Sequence, residues 1–230
     1  MVITLKKSRV CQIEGFSLEL DRRSGRGARE LMSGPTTLAV VTLCGVEVCW
    51  IAFAAVFLLR KKLPNQREAK RDRLSLLGIF LQGSAYFLVW FQRPGSAFLP
   101  PVAVLSGIVG ILFSACTIAL AAGSIWLIVA AVRTLGKQWA FAARLVEGHK
   151  LITAGPYHFV RNPIYTGMLG MLVATGLALE HWRNLVVAVV LFAVGLVIRV
   201  RSEEKLLRAA FGREFEEYAQ RVPAVVPGIY

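Results

Sequence analysis

Two polar clusters adjoin apolar runs near the C-terminal end of the 230-residue chain. The first is GPYHFVRNPIYTGM at residues 155–168, and the second is RVRSEE at residues 199–204, where another apolar run ends. Charged side chains beside hydrocarbon are costly unless a partner or a ligand satisfies them. The placement of these clusters therefore predicts a ligand site at the mouth of a helix bundle.

The first cluster also has the residues of a helix start. Pro163 suits the first helical position, where its missing N–H costs nothing, and Asn162 precedes it in an N-cap position. Arg161 is then either part of the site or an interfacial arginine that snorkels to water. Residue types alone leave both interpretations open.

The second cluster places Arg199 and Glu203 four residues apart on a predicted continuous helix, so their side chains share one face. Either they pair with each other or both point at a shared ligand. Glu204 is interpreted as a solvated neighbour. The two clusters bound one tight helical hairpin and must therefore meet at one membrane depth, which favours the shared ligand.

The composition indicates an integral membrane protein. Hydrophobic residues make up 56% of the chain, and the mean hydropathy is +0.58, which is too apolar for an ordinary soluble domain. Five apolar stretches approach or exceed the roughly 20 residues of a membrane span. They lie near residues 37–59, 74–91, 102–132, 164–180 and 185–200. We therefore expect an all-α fold with about five transmembrane helices, of which the last two form a C-terminal hairpin.

Membrane topology explains the net charge of +13 better than nucleic-acid binding does, because the basic residues cluster between apolar segments. The loops after the first and third spans are the basic ones, so they and the active site should face the cytoplasm. The loop that contains Arg93 should face outward. Neither a disulfide framework nor a metal site is expected from the four cysteines.

Three regions follow from this pattern. Residues 1–35 form an N-terminal tail, residues 36–133 hold the first three spans, and residues 134–230 hold the last two spans with a cytoplasmic cofactor-binding segment. The basic tail would lie outside if five spans place the C-terminus inside. Either the tail is mobile, or the native chain begins at Met32.

A specific family resemblance covers roughly Leu135 to Pro227. The pattern runs G-x-Y from Gly155, R-N-P-x-Y-x-G from Arg161, E-E at Glu203, F-G at Phe211, and F-x-x-Y followed by V-P from Phe215. It resembles the isoprenylcysteine carboxyl methyltransferase family, which is related to membrane phospholipid N-methyltransferases. Upstream of Leu135 the resemblance is only one of helix number and placement.

The resemblance implies S-adenosylmethionine in a pocket closed by the last two spans and the C-terminal segment. Glu203 would bind the cofactor's ammonium, and Arg199 would face the methyl acceptor. The remaining implied cofactor contacts are His149, Leu151 and Ile152 through their backbone, Tyr157 by packing, and Asn162, Pro163, Ile164 and Tyr165 around the amino-acid end. The family usually has histidine at the position of Asn162, and asparagine cannot become a cation. Cofactor affinity or its pH dependence should therefore differ from the family's.

The implied reaction needs little acid–base machinery, because a sulfonium methyl is activated and a carboxylate is already nucleophilic. The first interpretation is carboxyl O-methylation of an isoprenylcysteine-like acceptor that enters from the bilayer, with no metal and no nucleic acid. The alternatives are a phospholipid amine or a small thiol, which would need a base such as His149 or His158. A non-catalytic membrane scaffold is the alternative from another class.

Overall fold

A computed structural model describes residues 37–56, 58, 68–71, 74–91, 105, 107–136, 144–146, 151–179 and 182–225. The helices are α1 (Thr37–Val56), α2 (Leu74–Trp90), α3 (Gly107–Leu135), α4 (Pro163–Leu179), α5 (Trp182–Phe211) and α6 (Arg213–Arg221). A 3₁₀ turn spans Gly155–His158, and two short strands are β1 (Glu68–Arg71) and β2 (Arg144–Val146). The N-terminal tail, the loop at Arg93 and His149 lie outside the described residues.

Three of the five predicted spans are long and apolar enough to cross a membrane, namely α1, α3 and α5. Helices α2 and α4 are apolar but have 17 residues each. At 1.5 Å per residue they measure about 26 Å, slightly less than a bilayer core of about 30 Å. The predicted all-α membrane fold is confirmed, and these two helices match the lengths of the apolar stretches predicted at residues 74–91 and 164–180.

Helix α5 continues well beyond the predicted span at residues 185–200. Its 30 residues give a length of about 45 Å, so the helix extends past the hydrocarbon layer without a break. Arg199 and Glu203 therefore lie on one continuous helix, as predicted. Gly212 ends this helix with a φ of 50°, a conformation that favours glycine, and α6 follows directly.

The bundle packs as two main pairs, α2 along α5 and α3 along α4. Glycines allow the close approach in both pairs. A Cβ on Gly78 of α2 would lie 2.7 Å from the carbonyl oxygen of Gly195 on α5, and one on Gly167 of α4 would lie 2.6 Å from Ile128 Cγ1 on α3. Helix α1 is attached by Trp50, whose Nε1 donates to Thr175 Oγ1 on α4 at 3.0 Å.

A small antiparallel sheet is an addition to the expected all-α fold. Strand β1, between α1 and α2, pairs with β2, which follows α3, and Lys70 lies opposite Leu145 in the register. Two helices separate the strands in sequence, so they can meet only if both loops lie on the same side of the bundle. This arrangement agrees with the predicted placement of the two basic loops on one membrane face.

Candidate functional site

The segment before α4 is shaped by a glycine and by the predicted helix start. Gly155 opens the 3₁₀ turn with a φ of 61°, and Tyr157 within this turn is buried. Helix α4 begins at Pro163, as predicted. The carbonyl of Asn162 accepts from the Thr166 N–H at 3.1 Å, which is the backbone bond expected at an N-cap. The turn and helix start together position the polar side chains of the first cluster.

Arg161 is an internal anchor rather than a snorkelling arginine. Its Nε and Nη2 both donate to Glu204 Oε1, at 3.1 and 2.8 Å, and its Nη1 donates to the carbonyl oxygens of Ala219 and Val222. The side chains of Arg161 and Glu204 are only 14% and 10% exposed. The interpretation of Glu204 as a solvated neighbour is therefore wrong, because the C-terminal segment covers it.

Asn162 attaches the C-terminal segment to the start of α4. Its backbone N–H and its side-chain Nδ2 both donate to the carbonyl of Ala224 at 2.9 Å. The neighbouring contacts continue this pairing, from the Arg161 N–H to Pro223 O at 2.9 Å and from Thr166 Oγ1 to Val225 O at 2.8 Å. The amide of Asn162 thus holds a wall of the site in place.

Tyr165 and Glu203 connect the two polar clusters, as predicted from the hairpin. The Tyr165 hydroxyl on α4 donates to Glu203 Oε1 on α5. The guanidinium carbon of Arg199 lies 4.6 Å from the centre of the Tyr165 ring, and the charges of Arg199 and Glu203 interact. Arg199 is 5% exposed, whereas Glu203 is half-buried. A carboxylate and a cation therefore both contact one buried tyrosine, Tyr165.

Gln82 on α2 belongs to the same network, although the sequence motifs did not indicate it. Its side chain is 2% exposed, and its Oε1 accepts from Arg199 Nη1 at 3.0 Å. The available signal was a lone amide within an apolar helix, since polar residues in such helices commonly have a functional partner. Helix α2 thus contributes to a site that the motifs assigned to α4, α5 and the C-terminal segment.

Helix α6 contacts the 3₁₀ turn that contains Tyr157. The Tyr218 hydroxyl donates to the Tyr157 carbonyl at 2.6 Å. Burial raises the pKa of Tyr218 to about 12, although the nearby Arg161 charge lowers it, so the hydroxyl remains a neutral donor at physiological pH. Burial, with the negative charge of Glu203, also raises the pKa of Tyr157. Tyr157 therefore lies within range of the charge of Glu203.

The other predicted contacts are dispersed. Leu151 packs against the cluster of Phe215, Tyr218 and Val222, and Ile152 beside it is half-buried. Pro163 is buried, while Ile164 packs against the hydrophobic cluster that includes α3, away from the cluster of Tyr165. His158 is exposed, with its ring 5.3 Å from that of Phe159. Tyr157, Tyr165, Arg199 and Glu203 are thus the predicted residues that the structure brings together.

This arrangement suits a ligand that carries a positive charge next to an anionic or aromatic-stacking group. Glu203 offers a half-buried acceptor, and Arg199 supplies N–H donors that a guanidinium directs in a planar fork. The buried rings of Tyr157 and Tyr165 provide apolar faces in the same site. A carboxylate and a cation in one site can align two reactants while the surrounding helices exclude water.

Known proteins resemble part of the chain. Residues 112–214 match the profile of the phospholipid methyltransferase family. Protein-S-isoprenylcysteine O-methyltransferase B of Arabidopsis thaliana is 35% identical over 99 residues, 42% of this chain and 50% of the relative. A probable protein-S-isoprenylcysteine O-methyltransferase of Oryza sativa subsp. indica is 38% identical over 101 residues, 43% of this chain and 53% of the relative.

A relative with a different name matches over a similar length. The cobalt-zinc-cadmium resistance protein CzcN of Cupriavidus metallidurans is 35% identical over 97 residues, 41% of this chain and 44% of the relative. The chain spans about half the length of the curated relatives it matches. The family resemblance predicted from the motifs is confirmed, since residues 112–214 are similar to the phospholipid methyltransferase family.

Proposed function

We propose that this integral membrane protein is an S-adenosylmethionine-dependent methyltransferase that acts on a lipophilic acceptor, by carboxyl O-methylation of an isoprenylcysteine-like group. The observation that carries the proposal is the contact of Tyr165 with both Glu203 and Arg199. It unites a half-buried carboxylate and a buried cation at one end of a helical hairpin. The names of the relatives in Arabidopsis and rice support the same reaction class.

The residues present fit the cofactor. Glu203 provides a carboxylate for the ammonium of its methionine part, while the buried rings of Tyr157 and Tyr165 provide packing surfaces. Bound S-adenosylmethionine supplies a methyl group activated by a positively charged sulfur. Asn162 secures the C-terminal segment beside the start of α4, and we assign it a positioning role next to the cofactor's amino-acid end. For His149, Leu151, Ile152, Pro163 and Ile164, a place in the lining is proposed from the family resemblance alone.

Arg199 favours an anionic acceptor. A buried guanidinium attracts a carboxylate by charge-assisted hydrogen bonds and repels a protonated amine. An ionised carboxylate also needs no base, whereas an ammonium or thiol acceptor must first lose a proton. Arg199 therefore orients the nucleophilic oxygen, and the packed helices around it exclude competing water.

The charge distribution supports a site on the cytoplasmic face. The two loops that pair through β1 and β2 are rich in lysine and arginine, and such residues accumulate on the cytoplasmic side. The site lies at the end of α5 that carries Arg201, Lys205 and Arg208. An acceptor with a lipid chain would then enter from the inner leaflet.

The test is cofactor binding followed by methyl transfer. Purified protein in lipid nanodiscs is titrated calorimetrically with S-adenosylhomocysteine, the demethylated product. Transfer of a labelled methyl group is then measured to N-acetyl-S-farnesylcysteine, which carries a free carboxylate, and to phosphatidylethanolamine, which carries an amine. We expect binding and transfer to the carboxylate. A protein that binds no S-adenosylhomocysteine would be a scaffold and would contradict the proposal.

A further inference from the structure

Helix α2 lies outside the family-matched residues 112–214, yet it contributes a buried amide to the site. Gln82 Oε1 accepts from Arg199 Nη1 at 3.0 Å. Because a guanidinium has no acceptor, the carbonyl end of the amide must face it, which fixes the direction of Nε2. Among the described residues, Nε2 has no hydrogen-bond partner, although the side chain is 2% exposed. A buried amide nitrogen of this kind needs a ligand or a water to offset its desolvation.

The glycines one turn earlier on each helix determine where the guanidinium lies. A Cβ on Gly78 would be 2.4 Å from Arg199 Cγ, and a Cβ on Gly195 would be 3.2 Å from Gln82 Cγ. The stem of Arg199 thus crosses directly over Gly78, and the stem of Gln82 lies against Gly195. The two polar ends meet beside the ring of Tyr165, 4.6 Å from the guanidinium carbon.

We propose that Gln82 is a specificity-determining residue that positions Arg199 and adds its own Nε2 donor, so that α2 and α5 together recognise a carboxylate on the methyl acceptor. The inference rests on the proposed function. Its chemical basis is complementarity: the amide nitrogen and the guanidinium both present N–H donors, and an ionised carboxylate has only acceptors. An ammonium acceptor would leave these donors unsatisfied.

Two substitutions separate positioning from packing. Gln82→Met keeps the length of the side chain but removes both polar groups. Gln82→Glu keeps an acceptor for Arg199, removes the N–H donors and adds a negative charge that competes with the acceptor. Thr117→Val is the matched control, because Thr117 is a 1% exposed polar residue on α3 whose hydroxyl donates to the Phe113 carbonyl of its own helix.

The measurements are the dissociation constant for S-adenosylhomocysteine, the melting temperature, and kcat and KM for N-acetyl-S-farnesylcysteine, all on full-length protein in nanodiscs. Inhibition by the matching carboxamide, which lacks the negative charge, gives the preference for acid over amide. For both Gln82 variants we expect KM to rise about tenfold or more, in keeping with the loss of a hydrogen bond to a charged group. The preference for acid over amide should fall in both variants. The dissociation constant for S-adenosylhomocysteine should stay within about twofold of the parent's, and the melting temperature within a few degrees, because only one contact is changed.

Several outcomes would overturn the inference. An unchanged KM and acid preference would remove Gln82 from acceptor recognition. A parallel loss of cofactor affinity and melting temperature in both variants would make it a packing residue. A parent protein that binds S-adenosylhomocysteine but methylates only phosphatidylethanolamine would refute the carboxylate site and leave the methyltransferase proposal standing. A parent that binds no cofactor would refute both.

Discussion

Glu203 and Glu204 are consecutive on α5, yet their carboxylates have different partners. Glu203 accepts from the Tyr165 hydroxyl inside the candidate site, whereas Glu204 accepts two hydrogen bonds from Arg161 beneath the C-terminal segment. Adjacent helical residues point about 100° apart, so one turn of α5 can serve both. The E-E pair therefore combines a proposed ligand-binding carboxylate with a structural one.

The first prediction is that Glu203→Gln weakens binding of S-adenosylhomocysteine. The amide still accepts from Tyr165, so the substitution removes the charge with little change of shape. Loss of a charged hydrogen bond to the ligand's ammonium should reduce binding by about 1.5–3 kcal/mol. Isothermal titration measures this directly. Glu217→Gln is the control, since that carboxylate is 56% exposed and pairs with Arg213 on α6. Equal affinities of the Glu203 variant and the parent would refute the assignment.

The second prediction concerns the Arg161–Glu204 pair. Replacing Arg161 with Met leaves Glu204 buried and removes the donors to two C-terminal carbonyls. Removing one partner of a buried pair typically costs about 3–5 kcal/mol. We expect a large drop in melting temperature and faster proteolysis near residues 219–225.

The control for this variant is Arg213→Met. That arginine also forms an ion pair, to Glu217 at 2.8 Å, but its side chain is 92% exposed. Exposed pairs contribute about 0–1 kcal/mol, so its melting temperature should stay close to that of the parent. Similar losses in the two variants would mean that the Arg161 pair is not the anchor.

The positions of the helices could be predicted because each is encoded locally. Apolar runs predicted the helices α1 to α5, and Asn162-Pro163 marked the start of α4. The meeting of Tyr165 and Glu203 was also predictable, since a tight hairpin brings its two ends together. Local pattern and membrane geometry are sufficient for these features.

The contacts that were missed depend on packing between distant segments. Gln82 and Arg199 are separated by 117 residues, and Arg161 meets the Val222 carbonyl 61 residues later. No periodicity within either segment indicates its partner. A polar residue beside an apolar run shows that a partner is needed, but only the assembled bundle shows which residue supplies it.

The third prediction tests the small sheet and the side on which its loops lie. In a cysteine-free variant, Lys70→Cys and Leu145→Cys should form a disulfide on mild oxidation, because these residues are paired in the register. Lys70→Cys combined with Leu135→Cys is the control, since Leu135 ends α3 outside the sheet.

Lys62 and Lys150 should label from the cytoplasmic side, and labelling from opposite sides would refute the topology.

The fourth prediction separates the roles of Arg199 and Glu203. Arg199→Ala should nearly abolish methyl transfer and leave cofactor binding largely intact, because the proposed partner of Arg199 is the acceptor. Arg199→Lys should recover only part of the activity, since an ammonium lacks the planar fork. If Arg199 serves only to pair with Glu203, Arg199→Ala and Glu203→Gln should weaken cofactor binding equally.

The last prediction uses two glycines on α2 that differ only in what faces them. A Cβ on Gly78 would be 2.4 Å from Arg199 Cγ and 2.7 Å from the Gly195 carbonyl, whereas a Cβ on Gly83 would meet nothing within 4 Å. Gly78→Ala must therefore push Arg199 or separate α2 from α5, and overpacking of this kind costs about 1–3 kcal/mol. Because it moves the guanidinium, we expect methyl transfer to fall more than cofactor binding. Gly83→Ala should leave methyl transfer and cofactor binding unchanged, because the added methyl group meets nothing within 4 Å. Alanine is also favoured over glycine within a helix. Melting temperature and turnover of the two variants, measured side by side, provide the test. Full activity in Gly78→Ala would show that the position of Arg199 does not depend on this helix crossing.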